Sequence, residues 1–359
     1  MARPVIDEED VAAAVRVLRS GRVVQGPEVA AFEAEFSGLV AGRHCVAVNS
    51  GTSALQLALM VLGIGAGDEV IVPSFSFAAS ANAIRLVGAV PIFVDITADD
   101  FTLDPAAVAA AIGPRTVAIM PVHLFGLPAD MTAITELATR HHLGIVEDAA
   151  QAHGAEVDSR PVGSFGLGCF SFYPTKNMHS LEGGMITTAD AAQARTLRLL
   201  RNQGMEQRYA NEIVGANLRL TDVAAAIGRV QLGRLPGWNA QRRANAQILT
   251  QTVVRVSPPS QPPGRTHVFH QFTVRTAEGR DDLRRHLHAC GIGSEVYYPT
   301  PIHRLRPYLA DDGQPDPRWQ LPQTDRAAAE VLSLPVHPGV EAAELDRIAA
   351  AVASWSPKR

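Results

Sequence analysis

The sequence predicts an α/β fold in which a largely parallel sheet is covered on both faces and a smaller α+β unit follows. Three observations lead there. Short Val/Ile-rich runs alternate with Ala/Leu-rich helical patterns through the first two thirds of the chain, and parallel strands need such crossovers. The runs are apolar throughout, as strands buried on both faces are. The texture then changes near Pro236, which places an expected boundary between residues 1–236 and 237–359.

The strands expected first are HCVAVNS from His44, EVIVP from Glu69, VPIFVDI from Val90, TVAIMPV from Thr116 and GIVEDA from Gly144. Each is bounded by Gly, Pro or polar residues and is too short for a helix. Between them SALQLALMVLGIGAGD, residues 78–87, DPAAVAAAIGP and DMTAITELATRHH have the length and composition of helices ended by Gly or Pro. After Ser164 two close strands, CFSFYP and GMITT, precede a helix over 191–201 and the amphipathic helix TDVAAAIGRVQLGRL. A helix from Trp238 to Gln247, the link VSPPSQPPG, the strand HVFHQFTVRT, a helix over 282–289, the strand SEVYY and two helices over 325–332 and 341–353 complete the chain.

Composition narrows the function. The 359 residues are 47% hydrophobic and 19% charged, enough apolar surface for a packed core. Basic residues number 32 against 36 acidic ones without a Lys/Arg cluster, so nucleic acid is not expected as a partner. No apolar run reaches the ~18 residues of a membrane span, and MARPVIDEEDV lacks the features of an export signal. Cys45, Cys169 and Cys290 are scattered, which suits a reducing cytoplasm and suggests neither a disulfide framework nor a metal site.

Only two of the 32 basic residues are Lys, namely Lys176 and Lys358. Lys358 adjoins the carboxyl end and is expected to be solvated. Lys176 lies inside CFSFYPTKN, where an amine that can lose its proton does what a guanidinium cannot. In open parallel sheets ligands bind beyond the carboxyl ends of the strands. There NSGTSAL opens a helix with Gly51, Thr52 and Ser53, a place for a phosphate or an ordinary cap. EDAAQAHGA puts Glu147, Asp148, Gln151 and His153 at the same edge. Metal ligation is the weakest reading of that cluster, and most histidines read as structural. A phosphate cup, a strand-end carboxylate and one exceptional Lys together specify a pyridoxal phosphate site.

GTSALQLAL, PSFSFAASANAI, EDAAQAHGA, SFYPTKN, EGGMI, NLRLTDVAAAIGRVQL, VYYPTPIH and LSLPVHP resemble, in order, the signature segments of the DegT/DnrJ/EryC1/StrS sugar aminotransferases. The resemblance implies a fold-type-I pyridoxal-phosphate-dependent transferase, like aspartate aminotransferase. It makes Lys176 similar to the Schiff-base lysine and Asp148 to the partner of the pyridinium nitrogen. Gly51, Thr52 and Ser171 resemble phosphate ligands, Gln151 a residue near the ring hydroxyl, and Phe77 the aromatic stacked on the ring, with Ala150 opposite. Asn217 resembles a residue lent to the neighbouring subunit, which implies a homodimer with shared sites. Arg219, Tyr297, Tyr298 and His303 resemble segments near the substrate mouth.

The implied activity is transfer of an amino group, from glutamate or a similar donor, to a nucleotide-linked keto-deoxy sugar, with carbon 4 expected from Glu182 and the TDVAAAIG segment. A cyclitol (inosose) aminotransferase and a coenzyme-binding regulator without turnover are the alternatives. The dehydratase branch of the family carries His where Lys176 stands. Three positions depart from the family pattern: Leu181 occupies a usual Gly, Gln203 a usual His or Tyr, and Ala216 a frequent aromatic. Loss of that Gly restricts the turn.

Overall fold

The computed structural model describes residues 4–356, so Lys358 lies outside the described residues. The helices are α1 (Glu8–Ser20), α2 (Pro27–Ser37), α3 (Gly51–Val61), α4 (Ala79–Leu86), α5 (Pro105–Ala111), α6 (Met131–His141), α7 (Ala191–Arg201), α8 (Asp222–Thr252), α9 (Arg280–Ala289), α10 (Pro322–Glu330) and α11 (Ala342–Ser354). The main sheet takes β1 (His44–Val48), β2 (Glu69–Pro73), β3 (Val90–Val94), β4 (Thr116–Ile119) and β5 (Gly144–Asp148). Short pairs β6 (Glu156–Val157) and β7 (Arg160–Pro161) precede its last members, β8 (Leu167–Ser171) and β9 (Gly184–Thr188). The rest are β10 (Met205–Gln207), β11 (Ala210–Asn211), β12 (Arg265–Thr266), β13 (Phe272–Arg275) and β14 (Val331–Leu334).

Among the described residues the main sheet has the order β1-β9-β8-β5-β4-β2-β3, with β9 antiparallel to both neighbours and every other pairing parallel. Alternate side chains serve opposite layers. Val46, Val48, Val70 and Val72 pack under α3, α4 and α7, whereas Ile71 and Ile119 meet α5 and α6 and Ala47 meets the α2 aromatics Phe32 and Phe36. Both faces are therefore dry, as the apolar runs require.

The C-terminal unit has its own core, in which the end of α8 (Ala246, Leu249) packs against β13, β14, α9 and α11. Here the structure departs from several expectations. The two helices expected on either side of Pro236 are one helix, α8, running through the proline. A mid-helix proline costs about 3 kcal/mol, yet both halves are held. Arg234 Nη1 lies 2.9 Å from Asp10 Oδ2, Leu235 is buried, and Asn239 Nδ2 donates to the His153 carbonyl at 2.8 Å. Residues 331–332, expected to end a helix, start β14 because they pair with β13. SEVYY is not a strand: Glu295 makes a single bridge to Ser333, and the chain then turns toward the sheet edge.

Candidate active site

The parallel topology brings the ends of β1, β2, β5 and β8 to one edge, and the polar residues after each strand collect there. After β1, Ser50 caps α3, its Oγ accepting the Ser53 amide at 3.1 Å. A Cβ on Gly51 would lie 2.7 Å from the Ser171 Cβ, closer than real Cβ atoms come, and one on Gly184 would collide with the Ser50 carbonyl oxygen. Gly51 and Ser171 thus meet at the N-terminus of α3, with Thr52 the next residue in the helix, where amides and the helix dipole favour an anion.

Asp148 ends β5 and is buried. Its Oδ2 accepts the Ser80 hydroxyl at 2.7 Å and its Oδ1 the Ala150 amide at 3.2 Å. The adjacent Glu147 points the other way and is structural, accepting amides of Gly163 and Phe165 at 2.7 Å and of Gly166 at 2.9 Å, with His123 Nε2 at 3.2 Å. Burial opposes its charge, but the His123 hydrogen bond and these amides outweigh it and hold its pKa below the ordinary value.

Lys176 closes a turn, its amide donating to the Tyr173 carbonyl at 2.9 Å. Burial pulls its ammonium pKa down to about 8 against the opposing pull of the Asp148 carboxylate. The next residue anchors the turn. Asn177 Nδ2 donates to Asn239 Oδ1 at 2.9 Å and to the Val268 carbonyl at 3.0 Å, while its Oδ1 faces His270 Nδ1 at 3.2 Å. His153 lies buried between Phe170 and Phe172, and burial, reinforced by Lys176, lowers its pKa to about 3, so its imidazole is neutral.

Gln151 spans the site's far side. Its Oε1 accepts the Phe125 amide at 2.7 Å and its Nε2 donates to the Tyr298 hydroxyl at 2.9 Å. Phe77 is 61% exposed, with its ring 6.1 Å from that of Tyr298. An aromatic left this open beside a polar edge is free to cover a planar ligand. Tyr297 is half-buried and packs with the Phe75 cluster.

Arg219 bridges Val48 at the end of β1, and its Nη1 donates to Asn202 Oδ1 at 2.9 Å. Asn217 is exposed on the strand-like segment that bridges Asn202. His303 is a correction. It is fully buried rather than at the mouth, with the Ser74 hydroxyl 2.7 Å from its Nδ1 and its own amide donating back to Ser74 Oγ at 2.9 Å. It braces the end of β2. Ser80 and Asn177 are the neighbours that motif reading left without a role.

Of the departures, Leu181 adopts φ +68°, the left-handed conformation that glycine adopts without strain. Gln203 also has positive φ, and its amide donates to the Ala216 carbonyl at 2.9 Å.

A model of the DegT/DnrJ/EryC1/StrS aminotransferase family matches residues 4–353. The chain belongs to that family. The aminotransferase is 47% identical over 98% of its length, and 93% of the relative's, to a Streptomyces venezuelae protein named dTDP-3-amino-3,4,6-trideoxy-alpha-D-glucose transaminase. It is 46% identical, over 93% of its own chain and 92% of the other, to the Saccharopolyspora erythraea protein named erythromycin biosynthesis sensory transduction protein EryC1. The crystal structure of S. venezuelae DesV in complex with a ketimine intermediate superposes with a TM-score of 0.93 at 46% identity, covering 97% of this chain and 94% of that one. The aminotransferase therefore has the fold-type-I architecture expected for it, and among its described residues no helix is long and apolar enough to cross a membrane.

Proposed function

We propose that this chain is a pyridoxal 5'-phosphate-dependent aminotransferase that places an amino group from glutamate on a nucleotide-linked ketosugar. The observation that carries this reading is the meeting of Lys176, with its lowered pKa, and Asp148 at the edge that also holds the Gly51–Ser171 cup. The residues fit the coenzyme. Gly51 and Gly184 let α3 close tightly on β8 and β9 beside the cup, and Phe77 offers an uncovered ring. When bound, pyridoxal phosphate supplies an electron sink and carries the amino group between donor and acceptor.

The protein's part follows from these groups. Lys176 Nζ would hold the coenzyme covalently, and as a free amine it would move the substrate's proton. A pKa of about 8 leaves roughly a tenth of the amine neutral at pH 7, against about one part in three thousand for an ordinary lysine. Asp148 keeps a proton on the ring nitrogen. Thr52, Ser171 and the Gly51 amide would hold the phosphate, Phe77 and Ala150 would flank the ring, and Gln151 would serve its hydroxyl.

The partner subunit's Asn217 completes the phosphate cup in a homodimer. That role suits its exposure and the apolar side chains of the same segment, Tyr209 at 81% and Val214 at 92% exposed. Arg219, Tyr297 and Tyr298 line the substrate side. The division into residues 1–236 and 237–359 is proposed with its seam inside α8, supported by the separate C-terminal core. A cytoplasmic setting suits the free Cys45, Cys169 and Cys290.

For the acceptor carbon we move from carbon 4 to carbon 3, because the 47% identical relative is named for a 3-amino sugar. Glutamate with 3-keto and 4-keto dTDP sugars, read by mass of the amino-sugar product, tests this. Turnover of the 4-keto sugar alone would restore carbon 4. A regulatory reading has one support, the sensory name of the 46% identical relative. A coenzyme spectrum that ignores every amino donor would favour it.

A further inference from the structure

We propose that Ser80, backed by Ser76, is a positioning residue that aims Asp148 at the coenzyme and ties that aim to the ring-covering Phe77. The inference rests on the reading that Asp148 meets the coenzyme's ring nitrogen, and adds a role for two hydroxyls outside the family motifs' assigned residues.

Ser76 and Ser80 are both buried, and their Oγ atoms lie 2.9 Å apart. Ser80 Oγ also has two acceptors in reach, Asp148 Oδ2 at 2.7 Å and the Phe77 carbonyl at 3.2 Å. A hydroxyl has one proton. The shorter, charge-assisted bond takes it, so Ser80 donates to Asp148 and its oxygen is left to accept from Ser76. The two hydroxyls then point the same way and strengthen each other in a dry site. No other assignment serves the buried carboxylate.

The carboxylate is thereby pinned at both oxygens, by Ser80 on Oδ2 and by the Ala150 amide on Oδ1. Two donors on its two oxygens restrict its rotation at the edge it shares with Lys176. The same turn carries Phe77, whose carbonyl accepts the Ser80 amide at 3.2 Å. The backbone that carries Phe77 is therefore bonded to the residue that holds the carboxylate. Simple packing needs would be met by alanine at either serine, but Ser80→Ala would leave Asp148 Oδ2 without its donor.

The test uses the full-length protein stripped of coenzyme, with Ser80→Ala, Ser80→Thr and Asp148→Asn. The readouts are thermal unfolding, the dissociation constant for pyridoxal phosphate by fluorescence quenching, and the pH midpoint of the bound coenzyme's visible band. We expect Ser80→Ala to lose some thermal stability, because a buried carboxylate oxygen loses its donor, but still to fold, to bind roughly tenfold more weakly, the factor one charge-assisted hydrogen bond is worth, and to shift the midpoint. Ser80→Thr should restore both. In the Asp148→Asn background the Ser80→Ala effect should vanish. Wild-type binding and midpoint in Ser80→Ala, with Asp148→Asn impaired, would overturn the role of Ser80 alone. An unimpaired Asp148→Asn would instead overturn the underlying reading. If Ser80→Ala does not fold, Ser76→Ala, which removes only the outer hydroxyl, must show a smaller shift of the same sign, and none would reject the relay.

Discussion

A side chain at Gly51 would begin 2.7 Å from the Cβ of Ser171, so the first turn of α3 and the end of β8 meet as bare backbone and a small hydroxyl side chain. Gly51→Ala must push these elements apart. We expect a loss of about 1–3 kcal/mol in stability, the usual cost of overpacking, and coenzyme binding at least tenfold weaker. Urea unfolding and a pyridoxal phosphate titration check both, and wild-type affinity would remove this contact from the phosphate cup.

Lys176 ties stability to alkaline pH. In the coenzyme-free fold its pKa is pulled down to about 8 by burial, while the unfolded chain keeps its proton up to about 10.4. Between those values the unfolded state binds more protons, so unfolding free energy rises with pH; below about 8 the penalty is constant. Stability of the wild type minus that of Lys176→Met should therefore climb from pH 8 to pH 10. A flat or falling difference would show that the amine is not held in a dry setting.

Leu181 holds a left-handed backbone at φ +68°, a conformation that glycine adopts without strain. Such a conformation costs a non-glycine residue about 1–2 kcal/mol, and glycine's extra freedom in the unfolded chain offsets part of the relief. Leu181→Gly should unfold at an equal or higher urea midpoint. Leu181→Val, with its branched Cβ, should lose about 1 kcal/mol or more. The opposite order would place the leucine's value in contacts of its side chain.

Asn177 joins the lysine turn to α8 and the C-terminal unit through Asn239, Val268 and His270. Asn177→Ala leaves these buried groups unpaired, at about 1–3 kcal/mol for each group that finds no water. Chemical denaturation should show that loss. In coenzyme capture the variant should be slowed more than Asn239→Ala, which spares the bond to Val268. Equal effects would assign the role to α8.

Much of this site was legible because its chemistry is written in residue type. A lone interior lysine in an arginine-rich chain, and polar residues just past apolar runs, need no tertiary information. Pro236 was misread because local propensity ends a helix there, whereas Arg234, Leu235 and Asn239 grip both sides of it from distant parts of the chain. His303 followed its motif to the mouth, but only the fold reveals Ser74 beside it. Ser80 escaped because a serine at a helix start reads as a cap, and its partner Asp148 is 68 residues away. The final strand SEVYY failed because the pairing that makes a strand is not local.

The central claim is that the coenzyme is bonded to the amine of Lys176. Borohydride reduction of the coenzyme-loaded protein, followed by proteolysis and mass spectrometry, tests it most directly. The account predicts one phosphopyridoxyl label, on the peptide containing Lys176, and none after Lys176→Ala. A label elsewhere, or undiminished labelling of that variant, would contradict it.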